Sequence, residues 1–158
     1  MVEYYKGDLL DSNCKVICHQ VNCAGVMQGE VADKIKEKYP VAYKAFRLRH
    51  KNDEARLGQI DMTVTRDNKT DKETYIINIY AQRDYLPLGV NHTNYRAFKH
   101  CLRYIKWNLN NRTHWTIGFP AYIGCDEAGG DWEIIRKIIE EEFKAPKWKV
   151  QIWDNSEV

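Results

Sequence analysis

The sequence predicts an α/β fold in which helices cover both faces of a β-sheet. Runs of β-branched and aromatic residues alternate along the chain with segments whose apolar residues recur every three or four positions. Two of these strand-like runs, Val16 to Asn22 and Trp115 to Phe119, lead through a turn of small residues into a helical pattern. Such strand–turn–helix units form right-handed crossovers, so both turns are expected at the same edge of the sheet.

Six segments have the composition of strands, and two of them are paired by their spacing. A polar turn, Asp67 to Lys72, separates an alternating segment from the apolar run TYIINIY, which predicts an antiparallel hairpin. The aromatic and β-branched content of TYIINIY indicates a strand that is buried on most of its surface. The predicted strands are Val2 to Lys6, Val16 to Asn22, Gln59 to Thr65, Thr74 to Tyr80, Trp115 to Phe119 and Lys149 to Trp153.

The helical segments follow from apolar spacing and from capping residues. Val31, Ile35 and Tyr39 recur at four-residue steps, and Pro40 ends this helix before a second pattern over Val41 to Phe46. A third helix is predicted over Asn94 to Leu109 with Thr93 as its N-cap, and a fourth after the cap Asp131. Its buried face is predicted to comprise Ile134, Ile135, Ile138 and Ile139. The remaining segments are a short turn at Leu9 to Asn13, a solvated charged segment at Arg47 to Arg56 and an irregular loop at Arg83 to His92.

The length and composition favour one globular domain over residues 1–158. Twenty-four Lys and Arg against 22 Asp and Glu give a net charge of +2, which is too small to predict nucleic-acid binding by itself. No apolar signal segment or run of membrane-spanning length is present, so we expect a cytoplasmic monomer without a membrane partner.

The five cysteines raise the alternative of a metal site. Cys14, Cys18 and Cys23 lie close together in sequence, but no CxxC pair accompanies them. Thiols within a buried strand more often fill small spaces in the core, so no metal site is predicted. Cys101 and Cys125 are far from this group in sequence.

The two small-residue turns predict an anion site. Small residues let backbone amides approach phosphate oxygens, and the first turn of a helix presents N–H groups that lack partners. Two such turns at one sheet edge predict a groove for a ligand with more than one phosphate. The alternative is that each turn merely reverses the chain, as in many α/β proteins.

Four sequence blocks resemble the macrodomain family. They are Lys6 to Leu10, Cys18 to Met27 (CHQVNCAGVM), Ile76 to Gln82 (IINIYAQ) and Ile123 to Trp132 (IGCDEAGGDW). The resemblance is greatest to bacterial and phage members that process ADP-ribose 1''-phosphate, a group related to terminal ADP-ribose glutamate hydrolases and DNA-ADP-ribose hydrolases. It implies a three-layer α/β/α macrodomain fold with a mixed, roughly six-stranded sheet. It also implies an ADP-ribose groove across the strand ends, with no cofactor or metal.

The resemblance implies a set of binding residues. Asp8 would accept a hydrogen bond from the adenine amino group, and Trp153 would lie against the adenine ring. Their alternatives are a turn cap for Asp8 and core packing for Trp153. Asn22 would contact the distal ribose, near Gln82. The amides of Gly25, Val26 and Met27 would face the diphosphate, and the opposite wall would comprise Ile123, Gly124 and Cys125.

His19 is the principal catalytic candidate, because a histidine at the matching position of a yeast relative is assigned a catalytic role. An imidazole beside the distal ribose can move a proton or position a water molecule. The alternative is a histidine held by hydrogen bonds in the core. Gln82 and Ala128 stand where related hydrolases place a catalytic lysine and its aspartate partner, so a lysine-dependent mechanism is not predicted.

Acidic residues distinguish the two loops from those of relatives. Glu30 replaces a glycine of the first loop, and Asp126 and Glu127 replace the common Gly-Leu of the second. A carboxylate near a diphosphate weakens its binding. Glu30 is also a candidate general base if it reaches the distal ribose or a water molecule.

Three functions are therefore compared. The first is an enzyme that binds ADP-ribose and hydrolyses ADP-ribose 1''-phosphate or an ADP-ribosyl linkage, with ADP-ribosylated protein or nucleic acid as partner. The second is a non-catalytic reader or sponge of ADP-ribose, and the third is a degenerate macrodomain for another ligand, such as an RNA end or a protein. Aromatic residues with basic neighbours, at Lys106-Trp107 and Lys147 to Lys149, fit an RNA surface or, as we prefer, a solvated helix end and strand edge.

Overall fold

The computed structural model of the chain describes residues 1–48 and 53–156. Its centre is a six-stranded sheet with the spatial order β1-β6-β5-β2-β4-β3. The strands are β1 (Val2–Lys6), β2 (Val16–Asn22), β3 (Ile60–Arg66), β4 (Glu73–Gln82), β5 (Thr116–Pro120) and β6 (Lys149–Asp154). The predicted strand segments are thereby confirmed, with boundaries that agree to within two residues.

Strand direction places the ends of the central strands together. Five strands are parallel to one another: β1, β6, β5, β2 and β4. The edge strand β3 is antiparallel to β4. The predicted hairpin is therefore confirmed, and the sheet is mixed. The carboxyl ends of the five parallel strands share one edge, where the loops after β2 and β5 emerge.

Four helices cover the two faces of the sheet. They are α1 (Glu30–Lys38), α2 (Pro40–Arg47), α3 (Tyr95–Asn108) and α4 (Trp132–Glu142). Alternate residues of β2 serve the two faces: Val16 and Cys18 join the core beneath α3 and α4, whereas Ile17 and Val21 pack with α1 and α2. The three-layer α/β/α architecture is confirmed. Single 3₁₀ turns occupy Leu9–Asp11 and Glu54–Arg56.

Several local predictions were wrong. The N-cap of α3 is Asn94, whose side chain accepts a hydrogen bond from the Ala97 amide, because the predicted cap Thr93 is buried and bonded elsewhere. Ile134 is 42% exposed, so the buried face of α4 is centred on Ile135 and Ile139. Val31, at the start of α1, is likewise exposed instead of buried.

The charged segment Arg47 to Arg56 is only partly solvated. Its residues 49–52 lie outside the described part of the chain. Arg56 is not a solvated residue: its side chain is 11% exposed and lies over the Tyr80 ring at 5.5 Å. The predicted solvated loop was wrong at this position because the arginine packs against a buried aromatic residue.

Within residues 1–48 and 53–156, no helix is long and apolar enough to cross a membrane. The same residues bring together no group of three or more His, Cys, Asp or Glu side chains that could hold a metal ion. Cys14, Cys18, Cys23 and Cys101 are buried as free thiols.

Candidate functional site

A cavity of about 370 Å³ lies at the carboxyl ends of the central strands. Residues from the end of β2 form its floor, and the loops after β2 and β5 form two facing walls. It includes most of the residues predicted from sequence: His19, Asn22, Val26, Met27, Glu30, Gln82, Ile123, Gly124 and Cys125. Asp8, Gly25 and Trp153 lie outside its lining.

Asn22 organises the first wall. Its Oδ1 accepts hydrogen bonds from the amides of Gly25 (3.1 Å) and Val26 (3.2 Å), and its Nδ2 donates to the Val26 carbonyl at 2.6 Å. The Gly25 and Val26 amides are therefore engaged by Asn22. Within the described part of the chain, the amides of Met27 and Gln28 donate no hydrogen bond, which leaves them available to an anion.

The N-terminus of α1 opens onto the same cavity. Gln28, Gly29, Glu30 and Val31 all line it, and the N-cap Gly29 provides no side chain to bond the first-turn amides. These N–H groups and the positive end of the helix dipole favour a bound anion. The start of α1 therefore has the features that an anion site requires, and anion binding stays a prediction.

Gly124 organises the second wall. It has a φ of +73°, and its carbonyl accepts hydrogen bonds from Thr93 Oγ1 at 2.6 Å and from the Gly130 amide at 2.8 Å. A Cβ atom at this position would lie 2.7 Å from Gln20 Oε1, so the loop is fitted closely to the strand beneath it. The amides of Gly124 and Asp126 donate no hydrogen bond to residues in the described ranges.

Cys125, beside Gly124, is not an ionised nucleophile. Burial, with a further contribution from Asp126, raises the pKa of its thiol to about 12. Its Sγ donates to the Ile123 carbonyl at 3.4 Å. The side chain therefore remains a neutral thiol at physiological pH and serves as part of the cavity wall.

Gln82 joins Gln20 in the cavity floor to the loop after β4. Its Oε1 accepts from Gln20 Nε2 at 2.8 Å, and its Nε2 donates to the Asp84 carbonyl at 2.8 Å. Gln20 Nε2 also donates to Thr93 Oγ1 at 2.9 Å. Because both ends of the Gln82 amide are engaged and the residue is 7% exposed, its evident role is to fix the cavity floor.

His19 is a neutral imidazole in the floor. The residue is 2% exposed, and burial lowers its pKa from 6.5 to about 4. Its Nε2 lies 2.6 Å from Asn78 Oδ1. Asn78 Nδ2 already donates to the Ala42 carbonyl (3.0 Å) and to Asp61 Oδ2 (3.1 Å), so Asn78 Oδ1 is the acceptor and His19 Nε2 carries the proton. The lone pair is then on Nδ1, which has no partner among the described residues.

The contacts of His19 continue into a buried polar network beneath α2. Asp61 Oδ2 also accepts from the Tyr80 hydroxyl at 2.6 Å, and Arg56 Nη1 lies 3.9 Å from Asp61 Oδ1. Sequence analysis missed this network. Its only signal is a polar residue, Asn78, in the middle of the apolar run TYIINIY.

Acidic side chains line the mouth of the cavity. Glu30, Asp126 and Glu127 are all in its lining. Burial and the nearby Glu30 carboxylate raise the pKa of Asp126. Lys34 Nζ lies 3.7 Å from Glu30 Oε1 and 3.4 Å from Asp8 Oδ2, so one lysine balances part of this charge.

Asp8 and Trp153 flank the cavity at the ends of β1 and β6. Asp8 Oδ1 caps the 3₁₀ turn by accepting from the Leu10 amide at 2.9 Å, which is the alternative role considered for it. Trp153 stacks on Tyr5 with ring centroids 5.0 Å apart, and its carbonyl accepts from the amide of Ala121, a cavity residue. The two residues predicted to contact adenine therefore lie at the same sheet edge as the cavity.

Two tyrosines that sequence analysis missed complete the walls. Tyr85 and Tyr122 both line the cavity. Tyr122 has a φ of +62°, and its ring centroid is 5.4 Å from that of Trp132. A non-glycine residue in this backbone region is uncommon and costs about 1–3 kcal/mol, which is typical of residues at ligand sites. No feature of the sequence distinguishes either tyrosine.

The chain is similar to known proteins in sequence and in fold. The DNA ADP-ribosyl glycohydrolase of Mycobacterium tuberculosis is 31% identical over 83 residues, which is 52% of this chain and 23% of that protein. The macrodomain of Mycobacterium tuberculosis DarG superimposes with a TM-score of 0.79 at 23% identity over 99% of both chains. Thermosipho africanus DarTG in complex with ADP-ribose gives 0.78 at 21% identity over 96% of this chain and 41% of that one. No family model matches the chain.

These similarities and the strand order define the class of protein. The chain has the macrodomain fold, and the resemblance that the four sequence blocks indicated is confirmed. It spans about a quarter of the length of the curated relative that it matches.

Proposed function

We propose that this macrodomain binds ADP-ribose in the cavity and hydrolyses an ADP-ribosyl linkage at the distal ribose. The observation that carries the proposal is the pair of facing loops with unbonded amides at Met27, Gln28, Gly124 and Asp126, above a buried neutral imidazole. A diphosphate fits amides that converge from two sides, and a ribose next to it would lie over His19. The similarity to a DNA ADP-ribosyl glycohydrolase supports a linkage to a macromolecule.

The remaining predicted contacts extend the ligand along the sheet edge. Trp153 and Asp8 would receive the adenine, as the carboxyl ends of β6 and β1 lie beside the cavity wall at Ala121. Asn22 would stabilise the conformation of the first loop, because its side-chain amide is hydrogen-bonded to Gly25 and Val26. Acidic groups at the mouth would weaken diphosphate binding and favour a modest affinity.

The proposed reaction is attack of water on the anomeric carbon of the distal ribose. The bond from this carbon to the leaving atom breaks, the water oxygen forms the new bond, and the proton that the water gives up ends on the leaving group. His19 Nδ1 would relay this proton, since Nε2–H is fixed by Asn78; the Nδ1 atom is buried beneath the cavity surface, so it must be uncovered when the ligand binds. Glu30 is a second candidate base at the cavity mouth. ADP-ribose 1''-phosphate and ADP-ribosylated protein or DNA are candidate substrates, and cytoplasmic action as a monomer stays part of the proposal.

One observation favours a second function, that of a non-catalytic ADP-ribose reader. Gln82 stands where related hydrolases have a lysine, and both of its amide atoms are used to fix the floor. A reader would bind ADP-ribose as proposed but leave the linkage intact. The two functions therefore differ in turnover alone.

Calorimetry with ADP-ribose, AMP and ADP would test the binding. Asp8→Asn keeps an oxygen for the Leu10 amide but removes the carboxylate charge, so a lost adenine contact is separated from a lost cap. We expect ADP-ribose to bind wild type with micromolar affinity and Asp8→Asn to bind it about tenfold more weakly. An absence of ADP-ribose binding at millimolar concentration would point to a degenerate macrodomain for another ligand.

Chromatography of wild type and His19→Gln incubated with ADP-ribosylated oligonucleotide, ADP-ribosylated peptide and ADP-ribose 1''-phosphate would test the chemistry. We expect release of ADP-ribose by wild type and a loss of at least a hundredfold in His19→Gln. Binding without release from any of the three substrates would establish the reader.

A further inference from the structure

The outer face of α3 is basic and carries no balancing acidic residue of its own. Its 14 residues include Arg96, Lys99, Arg103 and Lys106 and no Asp or Glu. The whole chain has a net charge of only +2, so this concentration is local. Within residues 1–48 and 53–156, neither Arg96 nor Lys99 forms an ion pair. An anionic partner would find unneutralised cations along this helix.

Two aromatic rings are exposed at the C-terminal end of the same face. The Trp107 residue is 82% exposed and Tyr104 is 49% exposed, three positions apart on one side of α3. Leaving a tryptophan in water forgoes the hydrophobic gain of its burial, and such exposed rings commonly mark binding surfaces. Nothing in the core of the domain requires a ring at Trp107.

Trp107 separates two depressions. One, of about 260 Å³, lies between His100, Arg103, Tyr104 and Trp107. The other, of about 540 Å³, lies between the C-terminal ends of α3 and α4 and includes Lys106, Lys144 and Lys147. A polymer in which flat rings alternate with negative groups would fit this surface. Its rings would stack on Trp107, and its negative groups would lie in the two cationic depressions.

The acidic residues near Trp107 do not cancel this charge. Arg103 Nε and Lys106 Nζ lie 3.3 Å and 2.9 Å from the same carboxylate, Glu142, so two cations share one anion. Lys144 pairs with Glu141 at 2.8 Å, whereas Lys147 lies over the Trp148 ring at 5.3 Å. The larger depression therefore keeps an excess of positive charge.

We propose that the outer face of α3, from Trp107 to Arg96, binds single-stranded nucleic acid and is more than the solvated helix end that the sequence favoured, because Trp107 and Tyr104 are both exposed on it. Unpaired bases stack on Trp107 and Tyr104, and phosphates contact Arg103, Lys147 and Lys99. A membrane or an acidic peptide supplies negative charge but no flat bases for the two rings, so the nucleic acid is the occupant that uses both features. This inference rests on the proposed function, for it names nucleic acid as the macromolecule that carries the ADP-ribose.

The direction of α3 connects this surface with the cavity. The helix follows β4 and precedes β5, which are both parallel to β2, so α3 runs back from the cavity edge of the sheet. Its N-terminal neighbour Thr93 bonds to Gly124 in the cavity wall, whereas Trp107 lies about 20 Å further along the helix axis. A strand bound along α3 would lead toward the cavity mouth.

Fluorescence anisotropy with a labelled single-stranded oligothymidylate would test the surface. We expect binding that weakens steeply with salt and that falls about tenfold in Trp107→Ala but less than threefold in Trp107→Phe, which keeps a stacking ring. The control Leu88→Ala removes an exposed apolar side chain from a different loop and should leave binding unchanged. Unchanged binding in Trp107→Ala would overturn the proposal.

A pair of charge variants separates the surface from net charge. Lys99→Glu with Lys147→Glu should weaken oligonucleotide binding by at least tenfold, whereas Lys44→Glu with Lys69→Glu, an equal charge change elsewhere, should have little effect. Equal loss in both pairs, or preference for anionic lipid vesicles over the oligonucleotide, would overturn the proposal. ADP-ribose binding measured on each variant reports the cavity independently. Failure of the proposed function would appear there, and failure of the α3 surface would appear only with the oligonucleotide.

Discussion

His19 Nε2 lies 2.6 Å from Asn78 Oδ1 on the neighbouring strand, and this contact decides which ring nitrogen of the histidine carries the proton. Because the Asn78 amide nitrogen is committed to Ala42 and Asp61, the asparagine can only accept from His19. The Asn78 contact therefore fixes the tautomer, with the proton on Nε2 and the lone pair on Nδ1, whereas burial keeps the imidazole neutral. His19 is therefore a hydrogen-bonded core residue whose Nδ1 has a free lone pair. The core interpretation and the general-base interpretation of the sequence are compatible.

The depressed pKa of His19 predicts a pH-dependent stability. Between pH 6.5 and about 4 the unfolded chain binds a proton at this residue that the folded chain rejects, so stability falls as the pH decreases through this range. The full loss of folding stability is about 3 kcal/mol, and no loss occurs above pH 6.5. Urea denaturation of wild type and His19→Gln at several pH values would measure it. An equal pH dependence in both proteins would contradict the assignment.

Asn78→Leu should destabilise the fold by about 3 kcal/mol, because it leaves the His19 Nε2–H, the Ala42 carbonyl and one Asp61 contact without their buried partner. Urea denaturation at pH 7 measures the change. Asn108→Ala is the matched control, since the Asn108 side chain donates to the Tyr104 carbonyl at the exposed surface. The control should lose less than about 0.5 kcal/mol; a similar loss in both variants would show that the network adds little.

Gly124→Ala should weaken ADP-ribose binding by about tenfold or more. Its Cβ would lie 2.7 Å from Gln20 Oε1 and 3.0 Å from Thr93 Oγ1, so the second wall must shift and its amides must move. Gly89→Ala is the control, as Gly89 also has a positive φ, +85°, but has open space around its Cβ position. Calorimetry should show unchanged affinity in the control. Equal affinities in all three proteins would remove this loop from the site.

Glu30→Gln should tighten ADP-ribose binding by about threefold, because it removes a carboxylate from the mouth of the cavity. The gain is small because the side chain is 81% exposed and water screens its charge. The control Asp33→Asn makes the same charge change in the first turn of α1 outside the cavity lining. Calorimetry at low salt measures the affinities.

The same Glu30→Gln variant decides whether Glu30 takes part in chemistry. If Glu30 acts as the general base, turnover at saturating substrate should fall by at least a hundredfold despite the tighter binding. Equal turnover of wild type and Glu30→Gln would leave Glu30 as an electrostatic residue. The rate of ADP-ribose release at saturation is the relevant measurement, because it is independent of affinity.

Local patterns along the chain were enough to predict the layers of the fold and the place of the candidate cavity. Period-two and period-3.6 patterns reflect which side chains must be buried, and they placed six strands and four helices because burial acts on each segment locally. The two glycine-containing turns after β2 and β5 predicted the place of the cavity. Parallel strands that are followed by helices must place these turns at one edge of the sheet. The exchange of the α3 cap from Thr93 to Asn94 shows the limit of local reasoning.

The roles of the polar residues depend on contacts between segments that are distant in sequence. The Asn22 side chain forms hydrogen bonds within its own loop. Gln82 bonds to Gln20 and Asp84, and Asn78 links His19 to Asp61. These partners are up to 62 positions apart in sequence, and a hydrogen bond depends on distances of a few tenths of an ångström that no periodicity encodes. The exposure of Trp107 is likewise a consequence of how α3 packs. Burial patterns are local and additive, whereas polar contacts are settled by the three-dimensional arrangement.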